Sequence, residues 1–232
     1  VPVMFVLVRK VWDWKAGLCA AALIAVVSGQ IFFRSLAGYL DHHIAEVLFS
    51  TIFCLAYIYV LAYMREHPVA FKIKESWKMP ALLSALAGVA FILGYLTMPT
   101  MILFAFIAAL TTIILFIIDF YHGRSSEYLV LLNTVVFGIA AVISVVMIHS
   151  DGFGLYLYNI SHPISYLFLI IGTGILFWLS NFMKGKSKIL YPLSIVGLGV
   201  ITFLGLFALL PDMYGAFING IEVFFGFNPF AA

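Results

Sequence analysis

A succession of apolar runs, each close to the length of a bilayer-spanning helix and separated by short polar breaks, limits this chain more than any other feature. A helix rises about 1.5 Å per residue, so roughly 20 mostly apolar residues cross the hydrocarbon core. On that ruler a partial span falls at 1–8, with full spans near 16–33, 44–64, 79–97, 101–118, 128–148, 164–182 and 190–210. Only 9% of the 232 residues are charged and 65% are hydrophobic, whereas about 25% of a soluble domain is charged. The expected fold is an all-α membrane protein, a polytopic helical bundle of about seven or eight transmembrane helices forming one transmembrane domain. Val1 opens inside an apolar run with no targeting segment after it, and Ala232 closes a loop-like stretch. The chain is therefore expected to be an internal piece of a longer membrane protein, with 211–232 the start of an outer loop.

Orientation follows from the basic residues. Of the 12 Lys and Arg, all but Arg34 fall in one set of alternate loops: Arg9, Lys10 and Lys15; Arg65, Lys72, Lys74 and Lys78; Arg124; Lys184, Lys186 and Lys188. The positive-inside rule assigns that set to the cytoplasm and makes the chain a multi-pass protein of the cell membrane. The opposite, extracytoplasmic side receives "FRSLAGYLDHH", a tight "TMPT" turn, "HSDGFGLYLYNISHP" and the tail from Pro211. That tail has an aromatic face and few charges, as an interfacial or re-entrant segment does. Trp77, Tyr95, Tyr156 and Tyr158 are placed as interfacial anchors. Glycines and alanines in "SALAG" and "IIGTGIL" are expected to allow close helix packing in lipid.

A net charge of +2 gives no reason to expect a nucleic-acid partner. Cys19 and Cys54 lie singly in apolar stretches, and are read as small buried hydrophobes in the absence of a disulfide framework or zinc spacing.

Polar chemistry concentrates at "RSLAGYLDHHIAE", where Asp41, His42, His43 and Glu46 stand at the outer mouth of the 44–64 span. Carboxylate oxygen and imidazole nitrogen together suit a divalent ion such as Mn²⁺, Mg²⁺ or Zn²⁺. In a helix starting near His42, Glu46 shares a face with both histidines, while Asp41 can join His43 only from an irregular turn before the helix. The same residues also allow a plainer reading: Asp41 caps the helix, and the others are hydrated among the headgroups. Arg34 is either a snorkelling side chain or a grip for a lipid-linked phosphate. Apart from Glu46 near the surface, no charged residue falls in the middle of a span, where pumps and ion-coupled carriers usually place them. Asn159-Ile160-Ser161 is an N-x-S sequon on a predicted outer loop, a candidate glycosylation site of a kind common by chance.

"RSLAGYLDHHIAE" resembles the second acidic motif of oligosaccharyltransferase catalytic subunits, in its archaeal single-subunit form with two histidines after the aspartate. "ILGYLTMPTMILF" is similar to that family's segment across its fifth and sixth helices. The resemblance implies the transmembrane region of a GT-C-type glycosyltransferase. Such enzymes transfer an oligosaccharide from a polyprenyl (di)phosphate carrier to the asparagine of N-x-S/T sequons, using Mn²⁺ or Mg²⁺ on the extracytoplasmic side. It implies a lipid-linked oligosaccharide, a sequon-bearing acceptor protein and membrane lipid as partners. By motif, Asp41 and His43 correspond to catalytic metal ligands, and Arg34 and His42 lie toward the carrier phosphate or acceptor; Glu46 matches in type but is not assigned as a ligand. The family's first-loop aspartate motif, fifth-loop glutamate and C-terminal sequon pocket have no counterpart in this sequence, so the piece is expected to be inactive alone. Rival readings are another membrane glycosyltransferase using a lipid-phosphate sugar, a polytopic transporter or flippase, and a scaffold subunit without chemistry.

Overall fold

The computed structural model describes residues 1–26, 43–224 and 227. Helices dominate, and among the described residues no strand occurs. This follows from the solvent: in lipid a helix satisfies its backbone groups within one segment, whereas an open sheet edge cannot. Six of the described helices are long and apolar enough to cross a membrane. The chain forms two units, Val1–Met101 and Ile102–Ala232.

In the first unit, α1 (Pro2–Val11) and α2 (Trp14–Val26) form a hairpin. Its tight turn is closed by Asp13, whose Oδ1 accepts the backbone N–H of Ala16 at 2.8 Å, an N-cap interaction. Gly17 lets the two helices approach, since a Cβ there would stand 2.9 Å from the carbonyl oxygen of Phe5. Next come α3 (His43–Glu66) and α4 (Lys74–Thr97), which pair extensively. Phe53 of α3 and Phe91 of α4 meet edge to face with centroids 5.0 Å apart, and both are buried. The loop between these helices is clasped by Ser76, whose hydroxyl donates to the carbonyl of Ala70. A short 3₁₀ turn, Pro99–Met101, follows α4, and Met101 packs into the space left by the missing side chain of Gly94.

The second unit contains α5 (Ile102–His122), α6 (Glu127–Val146), α7 (Ser161–Phe182), α8 (Leu190–Leu209) and α9 (Pro211–Phe224). Three of them are joined at depth by one side-chain cluster. Asn133 of α6 donates from Nδ2 to Thr112 of α5 at 2.8 Å and to Thr173 of α7 at 3.1 Å, and all three residues are buried. A carboxamide facing hydrocarbon would be costly, so it points into the bundle. Near the end of α5, Asp119 is 1% exposed and its Oδ2 accepts the hydroxyls of Tyr128 at 2.7 Å and Ser126 at 3.4 Å. Outward-facing leucines, isoleucines and valines such as Leu110, Ile114, Leu193 and Val196 are exposed, as a lipid-facing surface requires.

The structure corrects several sequence expectations. Tyr95 is fully buried rather than an interfacial anchor, because its position in α4 turns it toward the helix's packed side. Cys19 is exposed on α2, not buried, and Cys54 is half-buried. The "SALAG" segment is indeed packed, with Ser84 and Ala87 at 0% exposure. By contrast, a Cβ at Gly172 or Gly174 of "IIGTGIL" would meet nothing within 4 Å; Thr173 between them makes the interhelical contact. At 14 residues, α9 is too short to cross the bilayer at about 1.5 Å per residue. It packs on α8, with Tyr214 edge-on to Phe203 and Phe207 at 5.1 and 5.3 Å.

Candidate functional site

Of the predicted site residues, His43 is the one that falls in a described helix, at the start of α3. The described helix begins at His43, immediately after the aspartate and first histidine of the motif. Arg34, Asp41 and His42 lie outside the described residues, as does the side chain of His43. Among the described residues no group of three or more His, Cys, Asp or Glu side chains converges as a metal cluster would.

Glu46, in the first turn of α3, is the motif residue whose surroundings the structure describes. Its Oε1 accepts the hydroxyl of Thr100 at 2.5 Å. Thr100 belongs to the turn that follows α4, so this bond ties the start of α3 to the "TMPT" segment 54 residues later. The position suits a carboxylate twice over: it lies at the positive end of the helix dipole, and it receives a directed hydroxyl. His43 and Glu46 are three apart in a helix and hence share a face. Two segments that each resembled the same family in sequence are thus joined at one point of the first unit. The link was missed from sequence because Thr100 reads as an ordinary turn residue.

On the second unit the loop between α6 and α7 is folded on itself. The backbone N–H groups of His149 and Ser150 both donate to the carbonyl of Tyr158, at 3.0 and 3.2 Å. Burial pushes the Tyr158 phenol above its ordinary pKa. Asn159 is 2% exposed, and its Oδ1 accepts the N–H of Ser161 at 2.9 Å. The Ser161 hydroxyl in turn accepts the N–H of Gly154 at 3.0 Å. The sequon thus forms a buried turn ahead of α7 and does not present its carboxamide to solvent. Sequence reasoning also missed the Asn133 cluster, whose signal was a lone asparagine in the apolar run "VLLNTVVF".

Comparison with known proteins decides the family. The model for oligosaccharyl transferase STT3, N-terminal, matches residues 1–225. The chain belongs to that family. It is 27% identical over 227 residues to a dolichyl-monophosphooligosaccharide–protein glycotransferase, AglB, of Haloferax volcanii, covering 93% of this chain and 21% of the relative. Its fold matches that of the archaeal oligosaccharyltransferase AglB from Archaeoglobus fulgidus, solved with an inhibitory peptide and a dolichol-phosphate. The TM-score there is 0.79 at 20% identity, over 95% of this chain and 26% of the other. An Archaeoglobus fulgidus oligosaccharyltransferase in complex with Zn and sulfate matches with a TM-score of 0.69 at 21% identity, over 95% of this chain and 28% of the other. The chain therefore spans about a fifth to a quarter of the length of these STT3-family relatives.

Proposed function

We propose that this chain is the membrane part of an oligosaccharyltransferase that moves an oligosaccharide from a polyprenyl (di)phosphate carrier to asparagine in N-x-S/T sequons, acting on the extracytoplasmic face of the cell membrane. The observation that carries the reading is the family match across nearly the whole chain, with His43 of the DHH motif opening α3. Support for lipid and peptide partners comes from the archaeal relative solved with a dolichol-phosphate and an inhibitory peptide.

Asp41 and His43 are the residues that would hold a Mn²⁺ or Mg²⁺ ion. A carboxylate oxygen and an imidazole nitrogen are ligands these ions accept, and a related oligosaccharyltransferase was solved in complex with Zn and sulfate. Such an ion, when bound, neutralises charge growing on a phosphate leaving group. Two donors do not fill a coordination shell, so the remaining ligands come from outside this motif.

The chain's own residues then divide the work. Arg34 offers a planar, permanently charged fork suited to phosphate oxygens. His42 would donate a hydrogen bond from its imidazole to the carrier phosphate. Glu46 acts through position: held by Thr100, it fixes the first turn of α3 and hence the backbone from which His43 projects.

The test is Asp41→Ala in the complete enzyme that contains this segment, assayed for transfer to a sequon peptide with Mn²⁺ present. Loss of a direct ligand is expected to lower transfer by about a hundredfold or more, beyond what loss of a supporting residue costs, while the protein stays folded. Transfer at the parent rate would overturn the assignment.

A further inference from the structure

In the second unit the loop after α5 faces the loop after α7, and the two enclose an open cleft of about 390 Å³. That volume lies within the range of ligand pockets, roughly 300–1,000 Å³. Arg124, Lys184, Lys186 and Lys188 all line it. Each loop turns through a left-handed glycine, Gly123 at φ +66° and Gly185 at φ +83°, which a side chain would strain. Lys188 fastens the loop after α7 to the last turn of α5 by donating from Nζ to the carbonyl of Tyr121 at 2.9 Å.

The local negative charge does not balance these cations. Two helix C-termini meet here, worth together about one negative charge. Asp119 is buried behind Ser126, which lines the cleft and donates to its carboxylate. Glu127 stands at the start of α6 and accepts the Ser125 hydroxyl at 3.3 Å, where the positive end of that helix favours it. Orientation in the membrane asks only that basic residues lie on this side. It does not ask that two loops bring four of them to one cleft.

The flank of the cleft is apolar and aromatic. Trp178 and Phe182 on α7 stack with centroids 5.4 Å apart and are 63% and 56% exposed. Lys186 holds its ammonium 3.9 Å from the centre of the Phe182 ring, so a cation is set directly over the lipid-facing surface. Ile189, at the turn into α8, is also exposed. A ligand that fits both halves carries a phosphate at one end and hydrocarbon at the other.

We propose that this cleft binds the phosphate headgroup of an anionic membrane phospholipid, with Arg124, Lys184 and Lys186 supplying charge and Lys188 holding the loop after α7 to the last turn of α5. The chains of the lipid lie along Trp178 and Phe182. The cleft shares no residue with the DHH motif, and the proposal does not depend on the proposed transfer reaction.

The experiment is native mass spectrometry of the chain in neutral detergent, titrated with phosphatidylglycerol, phosphatidylcholine or inorganic phosphate. Phosphatidylglycerol is expected to bind and phosphatidylcholine to bind far more weakly. Each basic residue is worth about a fivefold change in affinity for an anionic lipid surface. The variant Arg124→Gln/Lys184→Gln/Lys186→Gln should therefore lose roughly a hundredfold, with helix content unchanged by circular dichroism, and Arg124→Gln alone about fivefold. The control Lys72→Gln/Lys74→Gln/Lys78→Gln removes three charges from the other unit and should change little. The proposal is overturned if the cleft variants bind as the parent does or if the control loses as much. Equal retention of phosphatidylcholine, or displacement of the lipid by inorganic phosphate at equal concentration, would overturn it as well.

Discussion

In the first unit a long-range polar contact, Glu46 with Thr100, lies at helix ends, where a turn meets the first residues of a span. In the second unit Asn133, Thr112 and Thr173 meet between apolar turns of three helices, and all are buried. The chemical vocabulary is similar, a hydroxyl against a carbonyl-bearing side chain, but the consequences differ. A polar group at a helix end keeps access to water, ions and headgroups. One at depth can be satisfied only by neighbouring helices, and so becomes a fixed point of the packing. In this chain the first arrangement sits beside the motif proposed to carry the chemistry, and the second ties three helices together.

The largest effect that would sharpen this contrast is the one already named, a drop of about a hundredfold or more in transfer for Asp41→Ala in the complete enzyme, without loss of stability. Next comes Thr100→Val, which removes the hydroxyl that holds Glu46. As a positioning change it should lower transfer roughly tenfold and raise the metal concentration needed for half-maximal activity, while Thr100→Ser restores both. If Thr100→Val lowers the unfolding midpoint instead and leaves the metal requirement alone, the rim contact is scaffold like the deep one.

Asn133→Leu should behave in the opposite way. Interhelical hydrogen bonds in membranes contribute about 0.6 kcal/mol each on average and up to about 1.7, so the loss of two is expected to cost between about 1 and 2 kcal/mol. Unfolding in mixed micelles with increasing dodecyl sulfate measures it directly. Thr112→Val and Thr173→Val combined with Asn133→Leu should add little more, since the shared partner is already gone. Additive losses would mean that the three residues do not act as one cluster.

How much of this could be read beforehand depends on which physical signal carried it. Hydrophobic length anticipated the six described helices long and apolar enough to cross a membrane, because the bilayer imposes one ruler on every span. It misjudged where the α4 helix begins, at Lys74 rather than near 79, since a helix continues into polar "KESWK" after the apolar stretch has ended. The family resemblance located the motif at Asp41 and His43, whose side chains lie outside the described residues. Partners remote in sequence were not legible. Nothing in "TMPT" announces that Thr100 reaches Glu46, and a short-range pattern cannot show that Gly172 and Gly174 face open space while Thr173 faces Asn133. Tyr95 was misplaced for the same reason: distance from a helix end says nothing about which side of the helix is packed.

The smallest expected effect concerns Asn159, which the sequence presents as a sequon and the structure as a buried turn. Asparagine in such a turn bonds the backbone two residues on, here the N–H of Ser161. A glycan could be attached only before α7 packs, so intact mass is expected to show Asn159 unmodified. Asn159→Asp keeps an acceptor oxygen in place and should leave stability near that of the parent. Asn159→Ala strands the Ser161 N–H and should cost about 1 kcal/mol. If both variants lose the same mass as well as stability, the residue carries a sugar, and the loop after α6 belongs with the exposed chemistry of the first unit rather than with the packed polar groups of the second.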